Sequence, residues 1–249
     1  MFIIEIADLL VEIDNQYEEI RTQCRDYIVD KPRKPDIHVS ISEGLWKELL
    51  DLCEVENPDA HMRGAMEAYA MHGRIYPELP RFDAAWLHAS VVEVDGEGYA
   101  FTAPSGYGKT TQARLWLDYF GSLARIINGD NPIIRFIDGS CFVYGTPFGG
   151  KEGFQYNTRV PLKGICFLDH CEKNMITRME PEMAFAQIIR NNQKHLVLHS
   201  NNQDLMMSVW ERIVQQIPVW QLHCNQSSEA VEMAYGSMKT VDKKALGYE

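Results

Sequence analysis

One short stretch of the chain has the residue types and spacing of a phosphate-binding loop. Residues 103–111 read APSGYGKTT. The P-loop pattern is G-x-x-x-x-G-K-[ST], placed between a strand and a helix. Here Ala103 holds the first glycine position, and Gly108, Lys109 and Thr110 match the end of the pattern. Because glycines let several backbone N–H groups converge on an anion, the stretch predicts a site for nucleotide phosphates.

The individual residues of this loop have distinct predicted roles. Gly106 and Gly108 let backbone N–H groups turn toward phosphate oxygens, and the following helix adds partial positive charge at its N-terminus. Lys109 can reach the outer phosphates, and Thr110 can offer its hydroxyl to Mg²⁺. The predicted nucleotide-binding residues are Ser105, Gly106, Tyr107, Gly108, Lys109, Thr110 and Thr111. The structural alternative is a glycine-rich turn that only caps a helix.

Phosphoryl transfer also needs a carboxylate, which holds Mg²⁺ or accepts the proton of the attacking hydroxyl. Two aspartates are candidates. Asp130 lies soon after the predicted helix, in INGDNPIIRF, and Asp169 ends the apolar run GICFLDH. A generic P-loop interpretation favours Asp169, because it stands at the end of a strand. Both positions are also compatible with an ordinary turn residue.

A glycine-rich segment supplies candidate cations. Residues 144–162 read YGTPFGGKEGFQYNTRVPL, and loops of this composition often carry function. Lys151 and Arg159 are the cations predicted to meet the transferring phosphate, since positioned positive charge stabilises phosphoryl transfer. The alternative is a solvated loop whose charges face water. His195 and His199 have a helical metal-ligand spacing but lack the accompanying glutamate, so they are predicted to be a surface pair.

The surrounding pattern predicts strands and helices that would position these residues. SVVEV and GYAFT are separated by DGEG at residues 95–98, which is a hairpin signal directly before the loop. A helix begins near Lys109 and ends at Gly121. Further strands are predicted at RIIN, PIIRFI, CFVYG, GICFL and VWQLHC, and further helices at PEMAFAQIIRNN, DLMMSVWERIVQQI and SSEAVEMAYGSM. The fold class is therefore α/β, with an antiparallel pair beside the loop.

The N-terminal third has a different pattern. The opening MFIIEIADLLVEID is not predicted to be a signal peptide, because it has no basic leading segment and contains acidic residues. Its part FIIEI is predicted to be a buried strand. DIHVSIS predicts a strand, and GLWKELLDLCEV and HMRGAMEAYAMHGRIY predict helices. Pro77 and Pro80 mark the best boundary. The predicted organisation is an N-terminal α+β cap over residues 1–84 and a nucleotide-binding core over residues 85–249.

Composition excludes several classes of partner. The chain has 249 residues and a formal net charge of −11, which disfavours a surface that coats nucleic acid or acidic lipid. No apolar run approaches the roughly 20 residues that a membrane helix needs. The six cysteines are scattered without a Cys-x-x-Cys, so neither a disulfide framework nor a zinc site is predicted. A cytoplasmic protein is expected, with neither nucleic acid nor a membrane as partner.

The segment LHASVVEVDGEGYAFTAPSGYGKTT resembles the core of the HPr kinase/phosphorylase family, whose P-loop reads G-x-S-G-x-G-K-S. The spacing from the family's histidine to its first loop position matches His88 to Ala103. Phosphoenolpyruvate carboxykinases share this core. The resemblance is specific over about residues 86–135 and only topological from there to the C-terminus, and the first 80 residues resemble neither enzyme. As a whole, the chain is most similar to the small HPr-kinase-like proteins found beside peptide-modification systems.

This resemblance implies a mixed-sheet P-loop core that transfers the γ-phosphoryl group of ATP, with Mg²⁺, to a hydroxyl. The implied acceptor is a serine of a peptide or small protein, or a small hydroxyl compound. The family has an Asp-Asp pair where this chain has Asp130, flanked by Gly129 and Asn131. Asp130 would then be both base and metal partner, unless another acid contributes. His88 would support Asp130, bind the metal or steer the acceptor.

Two other functions remain as alternatives. The incomplete acid pair leaves open a nucleotide-dependent module that binds a peptide or protein without catalysis. A carboxykinase is disfavoured, because that family's chains are about twice as long and carry substrate-binding arginines that this chain lacks. The sequence leaves open the acceptor, a reverse reaction and assembly into a homo-oligomer.

Overall fold

The computed structural model describes residues 1–30, 33–52, 54, 57–104, 106–196 and 202–239. Within these ranges the chain has a mixed α/β architecture: a three-stranded sheet, a nine-stranded sheet and seven α-helices. Ser105, Cys53 and His199 lie outside the described residues, as does the side chain of His195.

The N-terminal sheet contains β1 (Phe2–Ile6), β2 (Leu9–Asp14) and β3 (Ile37–Ser40). β1 and β2 are antiparallel, and β3 runs parallel to β2. The predicted strand FIIEI is confirmed as β1, whereas β2 was not predicted. The chain turns at Ala7 and Asp8, which have φ angles of 49° and 57°. Such turns usually carry glycine or asparagine, so the sequence contains no signal for this one.

Three helices accompany this sheet. They are α1 (Glu18–Gln23), α2 (Glu43–Leu52) and α3 (Ala60–Ile75). α2 and α3 were predicted, whereas α1 was not, because six residues are too few to show a helical period. Asp59 caps α3 by accepting a hydrogen bond from the Met62 backbone N–H at 2.8 Å.

The larger sheet contains the predicted site. Its strands are β4 (Ala84–Trp86), β5 (Ala89–Val94), β6 (Glu97–Thr102), β7 (Ala124–Asn128), β8 (Ile133–Ile137), β9 (Ser140–Tyr144), β10 (Arg159–His170), β11 (Met175–Arg178) and β12 (Val219–Cys224). The main order is β4-β8-β9-β10-β6-β5-β7, and β12 pairs with β10 and β11. β6, β10 and β12 are parallel neighbours, so their carboxyl ends meet at one edge. The remaining pairs are antiparallel.

Four helices complete this part of the chain. They are α4 (Lys109–Phe120), α5 (Pro181–Leu196), α6 (Gln203–Gln216) and α7 (Ser228–Lys239). All four coincide with predicted helices. None of the helices in the described ranges is long and apolar enough to cross a membrane.

The predicted hairpin before the loop is confirmed. β5 and β6 pair antiparallel from Ala89 with Thr102 to Val94 with Glu97. The turn is tighter than predicted: it consists of Asp95 and Gly96, with φ angles of 53° and 78°, as in the turns preferred by two-residue hairpins. β11 was missed, because its four residues alternate too briefly to give a pattern.

The apolar core is continuous across the predicted boundary after residue 84. The N-terminal sheet and α3 share a buried cluster with Trp86, Ile133, Tyr144 and Phe148 from the larger sheet and its loops. Arg135 also joins the two regions, because its guanidinium donates to the backbone carbonyls of Ala7 and Phe82. The N-terminal region therefore packs directly on the part of the chain that carries the site. The division at residue 84 stays a prediction.

Candidate active site

The predicted phosphate loop connects the end of β6 to the start of α4. Gly106 and Gly108 have φ angles of +83° and +85°, a region that side chains other than glycine rarely adopt. Ala103, at the first glycine position of the pattern, is 1% exposed and belongs to a buried cluster with Phe101 and Ala113. In this chain the first loop position therefore contributes a methyl group to the core.

Lys109 is held inside the loop. The residue is 7% exposed, and its Nζ donates to the backbone carbonyl of Ala103 at 3.3 Å. Burial lowers the pKa of the Lys109 ammonium group, and the nearby charge of Asp130 opposes that shift. A desolvated ammonium group at the N-terminus of a helix is suited to bind an anion.

Asp130 is brought to the cleft by pairing between β5 and β7. Val91 of β5 pairs with Asn128 of β7, and the Ala89 backbone N–H donates to the Asp130 carbonyl at 3.0 Å. This pairing places His88 beside Asp130, with 3.1 Å between His88 Nε2 and Asp130 Oδ1. The two residues are 42 positions apart, and both were predicted to belong to the site.

The protonation of Asp130 reflects two opposing effects. Burial favours the neutral acid. The hydrogen bond and charge of His88, the charge of Lys109 and a hydrogen bond from Asn131 outweigh it and hold the pKa of the carboxyl below its ordinary value. The Asn131 Nδ2 donates to Asp130 Oδ2 at 2.9 Å. Asp130 is therefore a carboxylate at neutral pH.

Asn128 and Thr146, which were missed at the sequence level, support the turn that carries Asp130. Asn128 Oδ1 accepts hydrogen bonds from the backbone N–H groups of Asp130 and Asn131, at 3.0 and 2.7 Å. Its Nδ2 donates to the Thr146 carbonyl and hydroxyl oxygens, and the Thr146 hydroxyl donates to the Asn131 carbonyl at 2.7 Å. Both side chains are fully buried. Asparagine two residues before an aspartate is a turn signal that could have indicated this arrangement.

A cleft of about 410 Å³ joins the loop to Asp130. It is lined by Gly106, Gly108, Lys109, Thr110, Thr111, Gly129, Asp130, Gly149, Gly150, Lys151 and Glu152. Gly150 packs closely on the acid, since a Cβ atom built on it would lie 2.8 Å from the Cβ of Asp130. A Cβ on Gly129 would lie 2.6 Å from the Gly149 carbonyl oxygen. These glycines allow the segment after β9 to close one wall of the cleft.

The two cations predicted from the glycine-rich segment lie in different places. Lys151 lines the cleft. Arg159 does not, because the pairing of β9 with β10 directs it to the N-terminal hairpin, where it forms an ion pair with Asp8. The Arg159 guanidinium also lies over the rings of Phe142 and Tyr144. The structure therefore separates Arg159 from the other predicted site residues.

Glu152 is an acid of the cleft that the sequence interpretation did not select. It lines the cleft beside Lys151 and forms an ion pair with Arg114 of α4. Arg114 in turn lies over the ring of Phe154, 5.7 Å from its centroid. Glu152 therefore ties the segment after β9 to the helix that follows the phosphate loop.

Asp169, the competing acid, lies at the ends of β10 and β12. Its Oδ2 is 3.1 Å from Nδ1 of His223, and it lines a small cavity that shares Gly108 and Thr111 with the cleft. It is not among the residues that line the cleft. Of the two candidate aspartates, Asp130 lines the cleft with Lys109, whereas Asp169 lines the neighbouring cavity.

The oxygen donors of the cleft fit Mg²⁺ bound together with a nucleotide. Mg²⁺ prefers oxygen ligands and is usually held by one or two protein groups plus substrate phosphates. Thr110, Asp130 and Glu152 line the cleft and offer a hydroxyl and two carboxylates. Across the part of the chain that the structure describes, no group of three or more His, Cys, Asp or Glu residues forms a metal set by itself.

Comparisons with known proteins give a distant structural relationship. No family model matches the sequence, and no curated protein matches it. A solved structure, that of the HPr(Ser) kinase/phosphatase from Coxiella burnetii, is similar with 10% sequence identity and a TM-score of 0.38. The similarity covers 62% of this chain and 95% of that chain. A similarity with so low a sequence identity and TM-score carries no information about substrate or cofactor.

Proposed function

We propose that the protein is a phosphotransferase that moves the γ-phosphoryl group of ATP to a hydroxyl group. The proposed acceptor is a serine of a peptide or small protein. The observation that carries this proposal is that the glycine loop, Lys109 and Asp130 line one cleft, and that His88 contacts the Asp130 carboxylate. Phosphoryl transfer to a hydroxyl requires N–H groups that bind the phosphates, a cation and a hydrogen-bonded carboxylate.

In this proposal the core over residues 85–249 binds the nucleotide. The backbone N–H groups around Gly106 and Gly108 hold the phosphates, and Lys109 neutralises charge on the outer ones. Thr110 and Asp130 would hold Mg²⁺, which neutralises the β- and γ-phosphates when bound. Lys151 is the second cation of the cleft, and the ion pair of the adjacent Glu152 with Arg114 attaches its segment to α4.

The chemical step uses Asp130 as the proton acceptor. The acceptor hydroxyl oxygen forms a bond to the γ-phosphorus, and the bond from that phosphorus to the β,γ-bridging oxygen breaks. The electron pair of the broken bond leaves with ADP, and the hydroxyl proton passes to the Asp130 carboxylate. His88 orients that carboxylate through Nε2 and favours its ionised form.

A non-catalytic nucleotide-dependent binding module is the second candidate. It is favoured by the contacts of Asp130, because both carboxylate oxygens already have a hydrogen-bonding partner, His88 or Asn131. The lowered pKa of Asp130 also makes it a weak base. Binding of ATP without any phosphoryl transfer would support this alternative.

The test replaces each aspartate with its amide in the full-length chain. Asp130→Asn keeps the side-chain shape but removes the proton acceptor, so the transfer rate is expected to fall by about 10²- to 10⁴-fold. Single-turnover reactions with γ-labelled ATP measure this rate, with slow hydrolysis of ATP by water as the readout until an acceptor is known. Calorimetry with Mg²⁺ and ATP is expected to show that most nucleotide affinity remains.

Asp169→Asn is the matched control, since Asp169 also contacts a histidine but lies outside the cleft. It is expected to retain nearly the full rate. If Asp169→Asn is inactive and Asp130→Asn is close to wild type, the assignment of the acid is wrong. If the wild-type protein binds ATP but neither labels an acceptor nor hydrolyses the nucleotide, the binding module replaces the phosphotransferase.

A further inference from the structure

A second groove of about 370 Å³ opens beside the cleft, between the N-terminal helices and the segment after β9. Gly150 lines both cavities. Asn131, which also lines the groove, donates a hydrogen bond to Asp130 Oδ2 at 2.9 Å. A molecule that fills the groove is therefore one side chain away from the proposed base. Its volume lies within the range of about 300–1,000 Å³ that is usual for small-ligand sites.

The inner wall of the groove is apolar. One face of α3 lines the groove, at positions i, i+3, i+4 and i+7 of the helix: Ala65, Ala68, Tyr69 and His72. Phe148 packs against this face, with its ring centroid 4.1 Å from that of His72. Tyr69 stands 59% exposed, as a large aromatic side chain that a bound partner could cover.

The groove and the cleft differ in charge. The cleft contains the cations Lys109 and Lys151 together with the acids Asp130 and Glu152, whereas neither lysine nor arginine occurs among the described residues that line the groove. The groove contains the carboxylate of Glu19, which is partly exposed. Its Oε1 lies 3.5 Å from Nδ1 of His61. A polyphosphate therefore fits the cleft, and an apolar ligand with a positive charge fits the groove.

Hydrogen bonds join α1 and the turn that follows it to the segment after β9, and this contact forms one side of the groove. Gln23 Nε2 donates to the Pro147 carbonyl at 3.2 Å, and its own backbone carbonyl accepts from Gln155 Nε2 at 3.4 Å. Asn157 Nδ2 donates to the Asp26 carbonyl at 3.2 Å. The wall formed by α1 is thus attached to the segment that carries Gly150.

We propose that this groove binds the phosphoryl acceptor and that α1 and α3 select it. The acceptor is a peptide whose hydroxyl residue has an apolar neighbour and a nearby cationic side chain. The apolar side chain would pack on Ala68 and Phe148, the cation would pair with Glu19, and the hydroxyl would reach Asp130 past Gly150. This inference rests on the proposed function, and it assigns the N-terminal region a part in substrate selection.

The test uses serine-centred pentapeptides with blocked ends as probes. They combine leucine or glycine beside the serine with lysine or glutamate at the flanking positions. We expect wild type to have a KM for the leucine–lysine peptide that is about tenfold lower than for the glycine–glutamate peptide, as loss of one good contact would give. Glu19→Lys is expected to reverse the preference between lysine and glutamate.

Ala68→Trp fills the groove from α3, and it is expected to raise the KM for the leucine–lysine peptide by about tenfold or more. Arg74→Trp is the matched control, because Arg74 is exposed on the same helix and does not line the groove. It is expected to leave the KM unchanged. If Glu19→Lys keeps the lysine preference and Ala68→Trp keeps the wild-type KM, the groove is not the acceptor site.

Binding of the dye-labelled leucine–lysine peptide separates this inference from the proposed function. Fluorescence anisotropy measures it with no turnover required. If the protein fails to cleave ATP but binds the peptide, and Ala68→Trp abolishes that binding, the groove assignment stands while the phosphotransferase proposal fails. Absence of peptide binding to wild type, or binding that Ala68→Trp leaves unchanged, overturns the groove assignment.

Discussion

Gly150 allows a sharp test of whether the position of Asp130 controls the reaction. Gly150→Ala introduces a Cβ atom 2.8 Å from the Cβ of Asp130, and ordinary van der Waals contact begins at 3.4 Å. The two groups must therefore separate by about 0.6 Å, either by movement of the acid or by movement of the cleft wall. A misplacement of about 1 Å can cost 10²-fold in rate, so we expect a loss of about 10- to 100-fold.

Gly153→Ala is the control for backbone strain. Gly150 and Gly153 have φ angles of +76° and +68°, so alanine costs about 1–2 kcal/mol of stability at either position. A Cβ atom on Gly153, however, would have no atom within 4 Å. Denaturant unfolding is therefore expected to show the cost of the positive φ angle in both variants and a further loss from the overlap with Asp130 in Gly150→Ala. Single-turnover transfer of labelled phosphate is expected to show a much larger loss of rate for Gly150→Ala. Equal rates for the two variants would refute the argument that contact with Gly150 positions Asp130.

The ionisation of Asp130 and the glycines of α3 lead to three further predictions. Burial is the largest influence on the pKa of Asp130, and the hydrogen bond and charge of His88 oppose it. His88→Ala removes that opposition, so the pKa of the Asp130 carboxyl rises and the acid limb of the pH–rate profile moves to higher pH. The control is His223→Ala, which removes the partner of Asp169 and is expected to leave the acid limb where it is. In wild type the stability due to Asp130 ionisation is present above about pH 3.9 and is lost as the pH falls through the lower folded pKa, which a pH series of urea unfolding measures. Gly73→Ala is expected to stabilise the protein by about 0.5–1 kcal/mol in the same assay, because its added methyl group meets open space. Gly64→Ala is expected to gain less, because a Cβ atom there would lie 2.0 Å from Glu19 Cδ; an equal gain would show that the Glu19 carboxylate does not rest on α3.

Much of the secondary structure could be predicted, because its signals are local. The hairpin of β5 and β6, the bounds of α4 and the glycine cap after it all depend on residues a few positions apart. The β1–β2 turn was missed, since Ala7 and Asp8 adopt positive φ angles without the usual glycine. β11 and α1 were missed because each is too short to show its period.

The site divides in the same way between local and long-range causes. Residues 103–111 by themselves determine a glycine-rich turn that is followed at Lys109 by a helix. This is so because turn geometry and helix initiation depend on neighbouring residues. The tertiary structure decided which distant groups accompany that turn. The register of β5 on β7 places His88 and Asp130 together, whereas the pairing of β9 with β10 directs Arg159 to Asp8. These choices depend on hydrogen bonds between strands that are far apart in the chain, and no local pattern of residues encodes such a register.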